Sequence, residues 1–565
     1  MTERQNNPAR RAWSRRARAA VVALATVTVL AGCVAIPASG GVNQGPLVTS
    51  GNNGDSSIVD LPLGPPRNAS KDEIIADFLQ AATSSAGNYQ IAREFLSPKA
   101  AQSWDPTKSV LIREKPANPQ DVGDNSVTYT VSTKASVSAL GVYSEQSSDS
   151  NETLTYSFSK VKGQWRISDL PDGVVVSRST FDNTFGEYPV YFFDPDFHYL
   201  VPDVRWFPTG STVPGRIVLA LAAGPSDWLS NGVVTTAFPA GVTVAPPVVV
   251  HNNTADVDFS ADAASTKPLI RARIQNQLLA SLQAASITEV DMTAHGAPLA
   301  VSGTTSPATT AVARESAPLL AKGKQFGFYP GLQSLGALST QVVGLNGTAI
   351  ALDHAQTAAA VLAPAGVYIA TGTGQPKLVD SRPGLIAPSI DSDGYVWSVP
   401  SNDGSAIVAV GSDGVLHPIA STIPSGSTIV SLDVSRDGTR ALVYLVTSAG
   451  PQLIVAGIKR TGGVPTSLGQ LLQLPVSSAQ PIDAAWVDAS TVAALGSADG
   501  EDTVISYVVG GSPGEASTTE GGTHIVSGGD ADSLRLITGS GQVQQLRATG
   551  WQDIGVVASV LATQQ

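Results

Sequence analysis

The sequence predicts a multi-domain chain: an α+β domain, then an α/β domain, then an all-β segment built as a propeller. Three observations carry this. Helical apolar spacing from Ser70 gives way to two-residue alternation after Ser126. A second stretch then places a long amphipathic helix between strand-like runs. The last 240 or so residues hold short β-rich runs with Asp-Gly turns, and similar runs recur about every 42 to 53 residues.

The N-terminus is an export signal. Arg4, Arg10, Arg11, Arg15, Arg16 and Arg18 precede an uncharged run from Ala19 to Ala31. That run is shorter than the roughly 20 apolar residues that span a bilayer, so it reads as a signal peptide. The residues after the arginine doublets favour the general secretory route over twin-arginine export. Leu30-Ala31-Gly32-Cys33 resembles the bacterial lipobox, and Cys33 is the sole cysteine. The resemblance implies cleavage between Gly32 and Cys33, with diacylglycerol on the Cys33 sulfur and an acyl chain on its amine. At least two acyl chains give a stable anchor where one does not. The signal thus covers residues 1–32. Residues 33–65, rich in Gly, Pro, Ser and Asn, read as a flexible tether.

The first folded domain is expected over residues 66–180. Ser70 and Glu73 have capping-box spacing, and Ile74, Ile75, Phe78, Leu79 and Ala82 share one helical face. A second helix with Ile91, Phe95 and Leu96 leads to Trp104. The runs SVTYTVSTKASV and ETLTYSFSKVKGQWRISDLPDG follow, with a turn at Lys162-Gly163. This order, with Trp165 on a late strand, resembles NTF2-like domains.

The second domain is expected over residues 186–300. In its helix, Ile270, Ile274, Leu278 and Leu282 recur every four residues and predict the buried stripe. Tyr191, Phe192 and Asp194, then Leu221 with Gly224-Pro225, the Pro239-x-Gly241 turn and the run Ala255 to Ser260 resemble, in order, the GerMN domain. That domain's role in exported and germination proteins is interaction, so the resemblance brings no catalytic residues.

The propeller is expected over residues 325–565. Related runs start near Ala349, Ala387, Val430, Asp483 and Ile525, and a four-stranded blade needs about 40 to 45 residues, giving five or six blades. Asp393-Gly394, Asp413-Gly414, Asp437-Gly438 and Asp499-Gly500 close hairpins, since Gly takes positive φ at low cost and Asp bonds its own backbone. Trp397 and Trp486 are expected between blades.

Composition narrows the function. The formal net charge is −12, and losing residues 1–32 makes the remainder more acidic, which argues against nucleic acid as a partner. His198, His251, His295, His354, His417 and His524 are scattered, with no pair at metal-ligand spacing. No GxSxG elbow, phosphate loop or dinucleotide fingerprint occurs. Asp194 with Asp196 reads as a solvated turn at a strand end, and Asp391 with Asp393 as a hairpin turn, rather than as acid/base or calcium pairs. Asp256 and Asp258 read as the outward face of a strand. Trp206, Phe207 and Trp228 read as core or domain contacts rather than a ligand groove. No catalytic, metal or cofactor residue is therefore assigned, and the chain is expected not to be an enzyme.

Lipobox, tether, NTF2-like unit, GerMN unit and terminal propeller together resemble the LpqB family of actinobacterial lipoproteins over nearly the whole mature chain. The resemblance implies a lipoprotein on the extracytoplasmic face of the cell membrane that binds the ectodomain of a sensor histidine kinase. The kinase is that of the Mtr two-component system, which serves cell-wall homeostasis and division. Contact with the cell wall is a further expectation. The alternatives are a cell-wall or glycan-binding protein and a propeller hydrolase.

Overall fold

The computed structural model describes residues 62–115, 119–301, 307–310, 316–548 and 550–565. Gly32, Cys33, the signal peptide and nearly all of the tether lie outside the described residues. The described residues fall within one compact unit, built from three packed parts.

The first part opens with α1 (Lys71–Ala81). Its capping box is present: Ser70 Oγ accepts from Glu73 N at 3.3 Å, and Glu73 Oε2 accepts from Ser70 N at 2.7 Å. Ile74, Ile75, Phe78 and Ala82 are buried and Leu79 is partly so. Helices α2 (Ala86–Glu94) and α3 (Pro98–Ser103) follow. The strands are β1 (Ser109–Arg113), β2 (Pro119–Gly123), β3 (Ser126–Ser138), β4 (Tyr143–Val161), β5 (Gln164–Asp169) and β6 (Val174–Ser177). They form a sheet in the order β5-β4-β3-β1-β6, with β2 also on β3. The neighbours are antiparallel except β1 and β6, which run parallel. Lys162 and Gly163 both take positive φ between β4 and β5, as a tight hairpin requires. Phe78, Trp104 and Tyr156 pack where the helices meet the sheet.

Helix α4 (Arg178–Thr184) leads into the second part. Strands β7 (Phe185–Phe193) and β8 (Leu200–Pro208) form a long antiparallel ladder, followed by α5 (Val213–Ala223). Next come β9 (Val244–His251), β10 (Thr254–Phe259), α6 (Pro268–Leu282), β11 (Glu289–Ala294) and β12 (Ala297–Pro298), in a sheet of order β12-β11-β10-β9. Strands β10 and β11 run parallel with α6 as their crossover. The expected stripe on α6 needs correction: Ile274, Leu278 and Leu282 are buried, but Ile270 is only partly covered. The face is instead extended by polar residues. Gln277 and Ser281 are fully buried. Gln277 Nε2 donates to Tyr191 O at 2.8 Å, Gln277 Oε1 accepts from Ala237 N at 2.9 Å, and Ser281 Oγ accepts from Tyr191 N at 2.9 Å. Leu278→Ala should cost about 2–5 kcal/mol through the cavity it leaves, read as a lowered unfolding midpoint.

The third part is a propeller of six four-stranded antiparallel sheets. Blades 2 to 6 start with their inner strands at Ala349–Leu352, Ser389–Ile390, Thr428–Val434, Gln480–Trp486 and Gly522–Ser527. These positions match the repeat starts seen in the sequence. Blade 1 is composite. Leu319–Lys322, Gln325–Phe328 and Gln333–Ser334 supply three strands, and Val560–Ala562, from the other end of the propeller, supplies the innermost. The propeller therefore begins at Leu319 rather than at 325. The early start was hidden because these strands hold only two to four residues and their inner partner is some 240 residues away. Inner strands touch their neighbours all round, so the ring closes. Trp397 and Trp486 are buried, as expected.

Candidate functional site

Two places concentrate polar groups: the propeller channel, and the seam where the three parts meet.

The channel is lined by Ile350, Pro388, Asp433, Trp486, His524 and Gln565, among others, and encloses about 70 Å³. That is room for a few waters, against roughly 300–1,000 Å³ for sites that enclose drug-sized ligands. Its acids are committed to joining blades. Asp433 accepts from Trp486 N at 3.0 Å, Ser389 Oγ at 3.1 Å and Gln565 Nε2 at 3.0 Å. Asp483 Oδ2 lies 2.6 Å from His524 Nδ1 and accepts from Ile525 N at 2.9 Å. Burial holds the Asp433 carboxyl above its ordinary range against the Trp486 amide and Arg436, which pull it down. Burial also opposes charge on His524, but Asp483, and more weakly Asp433, outweigh it and raise the imidazole above its usual value.

The His524 shift has a signed consequence. A raised folded value means that its contribution to stability is fully present below the unfolded pKa of about 6.5 and is lost as pH rises through the folded value. The unfolding midpoint of the protein should fall between pH 6 and pH 8 by more than in His524→Gln. Equal pH slopes in the two proteins would refute this. Sequence reasoning missed the pair, since His524 and Asp483 are 41 residues apart and only blade register brings them together.

Each blade turn after an inner strand carries an aspartate cap, in blades 2 to 6. Asp353 accepts from Thr357 N and Ala358 N, Asp391 from Asp393 N and Tyr395 N, and Asp437 from Thr439 N. Asp488 does so from Ser490 N and Thr491 N, and Asp530 from Ser533 N. Asp391 and Asp393 are thus turn residues, but Asp391 is also buried, held by Arg460 Nη2 at 2.6 Å and Trp397 Nε1 at 2.9 Å. Asp194 corrects the expectation of a solvated turn. It is buried and accepts from Tyr199 N at 2.6 Å and Asp196 N at 3.2 Å, so it shapes the loop from inside.

The seam centres on Trp206 of β8. Its ring lies 5.3 Å from Phe181 and 6.1 Å from Tyr143 of the first part. Its backbone N donates to Gly141 O at 2.8 Å, and its Nε1 donates to Gly510 O in blade 5 at 2.9 Å. Arg205 beside it is buried, paired with Asp203 at 2.6 Å, and donates to Leu140 O at 3.0 Å. Trp228 and Val233 lie on blade 4. There a β-carbon on Gly457 would come within 2.5 Å of Val233 and 3.0 Å of Trp228 O, so only glycine lets the loop sit this close. Trp206 and Trp228 are domain contacts and Phe207 is core, as the sequence reading preferred.

One group of possible metal donors forms that spacing did not reveal. His251, Asp256 and Asp291 sit on β9, β10 and β11 with donor atoms within 4.8 Å of one another. They are exposed or half-exposed, and the 3.4 Å contact between His251 Nδ1 and Asp256 Oδ2 is an ion pair when the imidazole is charged. His198, His295, His354 and His417 join no such group among the described residues.

These features define a multi-domain β-propeller protein in which an α/β unit is docked on the blades and clasped by a third, α+β part. Three family descriptions match in order: "Lipoprotein LpqB, N-terminal domain" over residues 64–182, "Sporulation and spore germination" over 189–300, and "Lipoprotein LpqB beta-propeller domain" over 333–560. The chain belongs to the LpqB family of lipoproteins. Lipoprotein LpqB of Cutibacterium acnes is 27% identical over 537 residues, covering 86% of this chain and 87% of that protein. Lipoprotein LpqB of Thermobifida fusca is 30% identical over 267 residues, covering 45% of this chain and 42% of the relative. Among solved structures, TolB from Acinetobacter baumannii matches at 16% identity and a TM-score of 0.33, over 44% of this chain and 66% of that one. The tandem GerMN domains of GerM from Bacillus subtilis match at 20% identity and a TM-score of 0.18, over 25% and 56%.

Proposed function

We propose that this lipoprotein is anchored through Cys33 on the extracytoplasmic face of the cell membrane and binds the ectodomain of a sensor histidine kinase of the Mtr type, modulating its output in cell-wall homeostasis and division. The observation that carries the reading is the buried seam around Trp206, which joins the GerMN-type unit and the propeller into one scaffold. The small channel and its committed acids favour binding over turnover. No helix among the described residues is long and apolar enough to cross a membrane, so attachment is assigned to the lipid. Confinement to the kinase's own membrane raises effective concentration and lets weak contacts suffice. The first part, helices against a mostly antiparallel sheet, is read as NTF2-like and as a spacer.

The test is co-purification of the full-length lipoprotein with the full-length kinase in detergent, together with kinase output in a deletion strain. Cys33→Ser should abolish thioether formation, leave the precursor uncleaved and lower kinase output while preserving binding in detergent. Absence of binding at high micromolar concentration, with unchanged output after deletion, would refute the reading.

A further inference from the structure

We propose that the open sheet edge of the second part, along Val248 to His251 of β9, takes up an extended segment of another protein in which apolar and basic residues alternate. Strand β9 ends the sheet order β12-β11-β10-β9, and no strand pairs with its outer side among the described residues. In the antiparallel ladder with β10, every second residue of β9 turns its N–H and C=O away from the sheet. Such an edge is a template for a further strand, and proteins blunt it with proline or an irregular register. The first half of β9 is blunted in this way: it holds Pro246 and Pro247, and its register shifts between Asp256 and Asp258. The second half is regular, with Val249, Val250 and His251 opposite Asp256, Ala255 and Thr254. There Val249 and Val250 are 53% and 41% exposed, so a β-branched edge lies bare.

The two faces of this edge dictate the alternation. Val248 lies toward α5, where a β-carbon on Gly215 would come 3.9 Å from its Cβ. Val250 shares that face, and Leu219, one helical turn on from Gly215, is 43% exposed. An apolar side chain of an incoming strand would cover Val250 and Leu219. On the other face Val249 stands opposite Asp256, and Asp256 opposite Asp291. Asp258 and Glu289 lie on the same face, and strands β9 to β12 hold no Lys or Arg. Glu289 and Asp258 accept from Thr254 Oγ1 and Thr293 Oγ1, while Asp256 meets His251 Nδ1 at 3.4 Å. Like charges directly opposite on a sheet are unfavourable, so the pair of Asp256 and Asp291 favours a cation. A lysine or arginine of the incoming strand would lay its stem over Val249 and bring its charge to Asp256.

Charge decides the occupant. A second copy would bring a β9 without a cation and set two acidic faces side by side, on chains of formal charge −12 each. The chain's own tether, residues 33–65, holds Asp55 and Asp60 and no Lys or Arg. A basic strand of another protein satisfies both faces and the backbone. This proposal stands apart from the kinase reading, because a peptide probe tests it with no kinase present.

The probe is a fluorescent Ser-Lys-Val-Lys-Val-Lys-Ser peptide, titrated by anisotropy against the full-length protein in detergent at low and at high salt. In the comparison peptide glutamine replaces each lysine. The expected result is salt-sensitive binding that falls at least about tenfold for the glutamine peptide, for the double variant Asp256→Asn, Asp291→Asn and for Val249→Lys, which charges the edge. Amide hydrogen exchange at Val248 to His251 should slow when the lysine peptide binds. The substitutions alter only exposed or partly exposed side chains, so the fold is kept. Equal affinity for the two peptides, or for either variant and the parent, overturns the proposal. So does unchanged exchange at Val248 to His251, which would mean that the peptide is held by charge without strand pairing. A dimer that Val249→Lys abolishes, with no peptide binding, also overturns it and gives the edge to a second copy.

Discussion

Deleting residues 559–565 should abolish cooperative folding of the propeller. Val560–Ala562 is the inner strand of blade 1, paired through Leu319 to Ala562, Leu320 to Leu561 and Ala321 to Val560. Its side chains serve two cores. Val560 and Ala562 pack with Phe326 and Leu352, while Leu561 packs with Val526 and Val543. Burying the Val and Leu side chains alone is worth about 3–6 kcal/mol, a large share of a typical total stability of about 5–15 kcal/mol. The deletion also removes Gln565, which clamps Asp433 across the channel, and its backbone bond to Leu352 O. Strand Leu319–Lys322 would then present an open edge, a template for aggregation. The truncated protein should lose near-UV circular dichroism and elute as aggregate in gel filtration. An unfolding midpoint within a degree or two of the parent would show that the ring does not depend on this closure.

The composite blade also marks the limit of what sequence could reveal. Local rules were legible wherever partner residues are close in the chain. Ser70 with Glu73 foretold the first helix cap, Lys162-Gly163 the hairpin, and the recurring runs from Ala349 onward the inner strands of five blades. Closure by Val560–Ala562 was not legible, because its register is set across the ring and not by any period. The aspartate caps were half legible. Asp437 stands directly before a Gly, but Asp353, Asp391, Asp488 and Asp530 do not, so the Asp-Gly pattern captured only part of the repeat. Asp194 looked solvated because a lone carboxylate at a strand end usually is; its burial follows from the backbone amides that surround it. The Asp433 and Asp483 clamps needed the order of blades before their partners could be named. Trp206 could be read as a contact residue, but its three-way role depends on blade 5 lying against β8.

Arg205→Met should cost about 3–5 kcal/mol, because it strips a buried carboxylate of its cation. Arg205 and Asp203 are 1% and 2% exposed, with Nη2 and Oδ2 2.6 Å apart. Asp203 would keep the bonds from Ser226 N and Ser226 Oγ, each 2.7 Å, but those dipoles do not neutralise it. The change also frees Leu140 O, to which Nη1 donates at 3.0 Å, and so loosens the first part from β8. Two readouts separate the causes. The unfolding midpoint reports the stranded charge, and Asp203→Asn added to Arg205→Met should recover much of it, since a neutral amide can still accept from Ser226. Limited proteolysis between the first and second parts reports the lost bridge to Leu140, and the double variant should remain as susceptible as the single one. If the scaffold reading is right, that loosening also weakens kinase co-purification even where stability is restored. A single variant that melts with the parent and resists protease equally would mean that Arg205 is dispensable and that the seam is held by Trp206 and its aromatic neighbours alone.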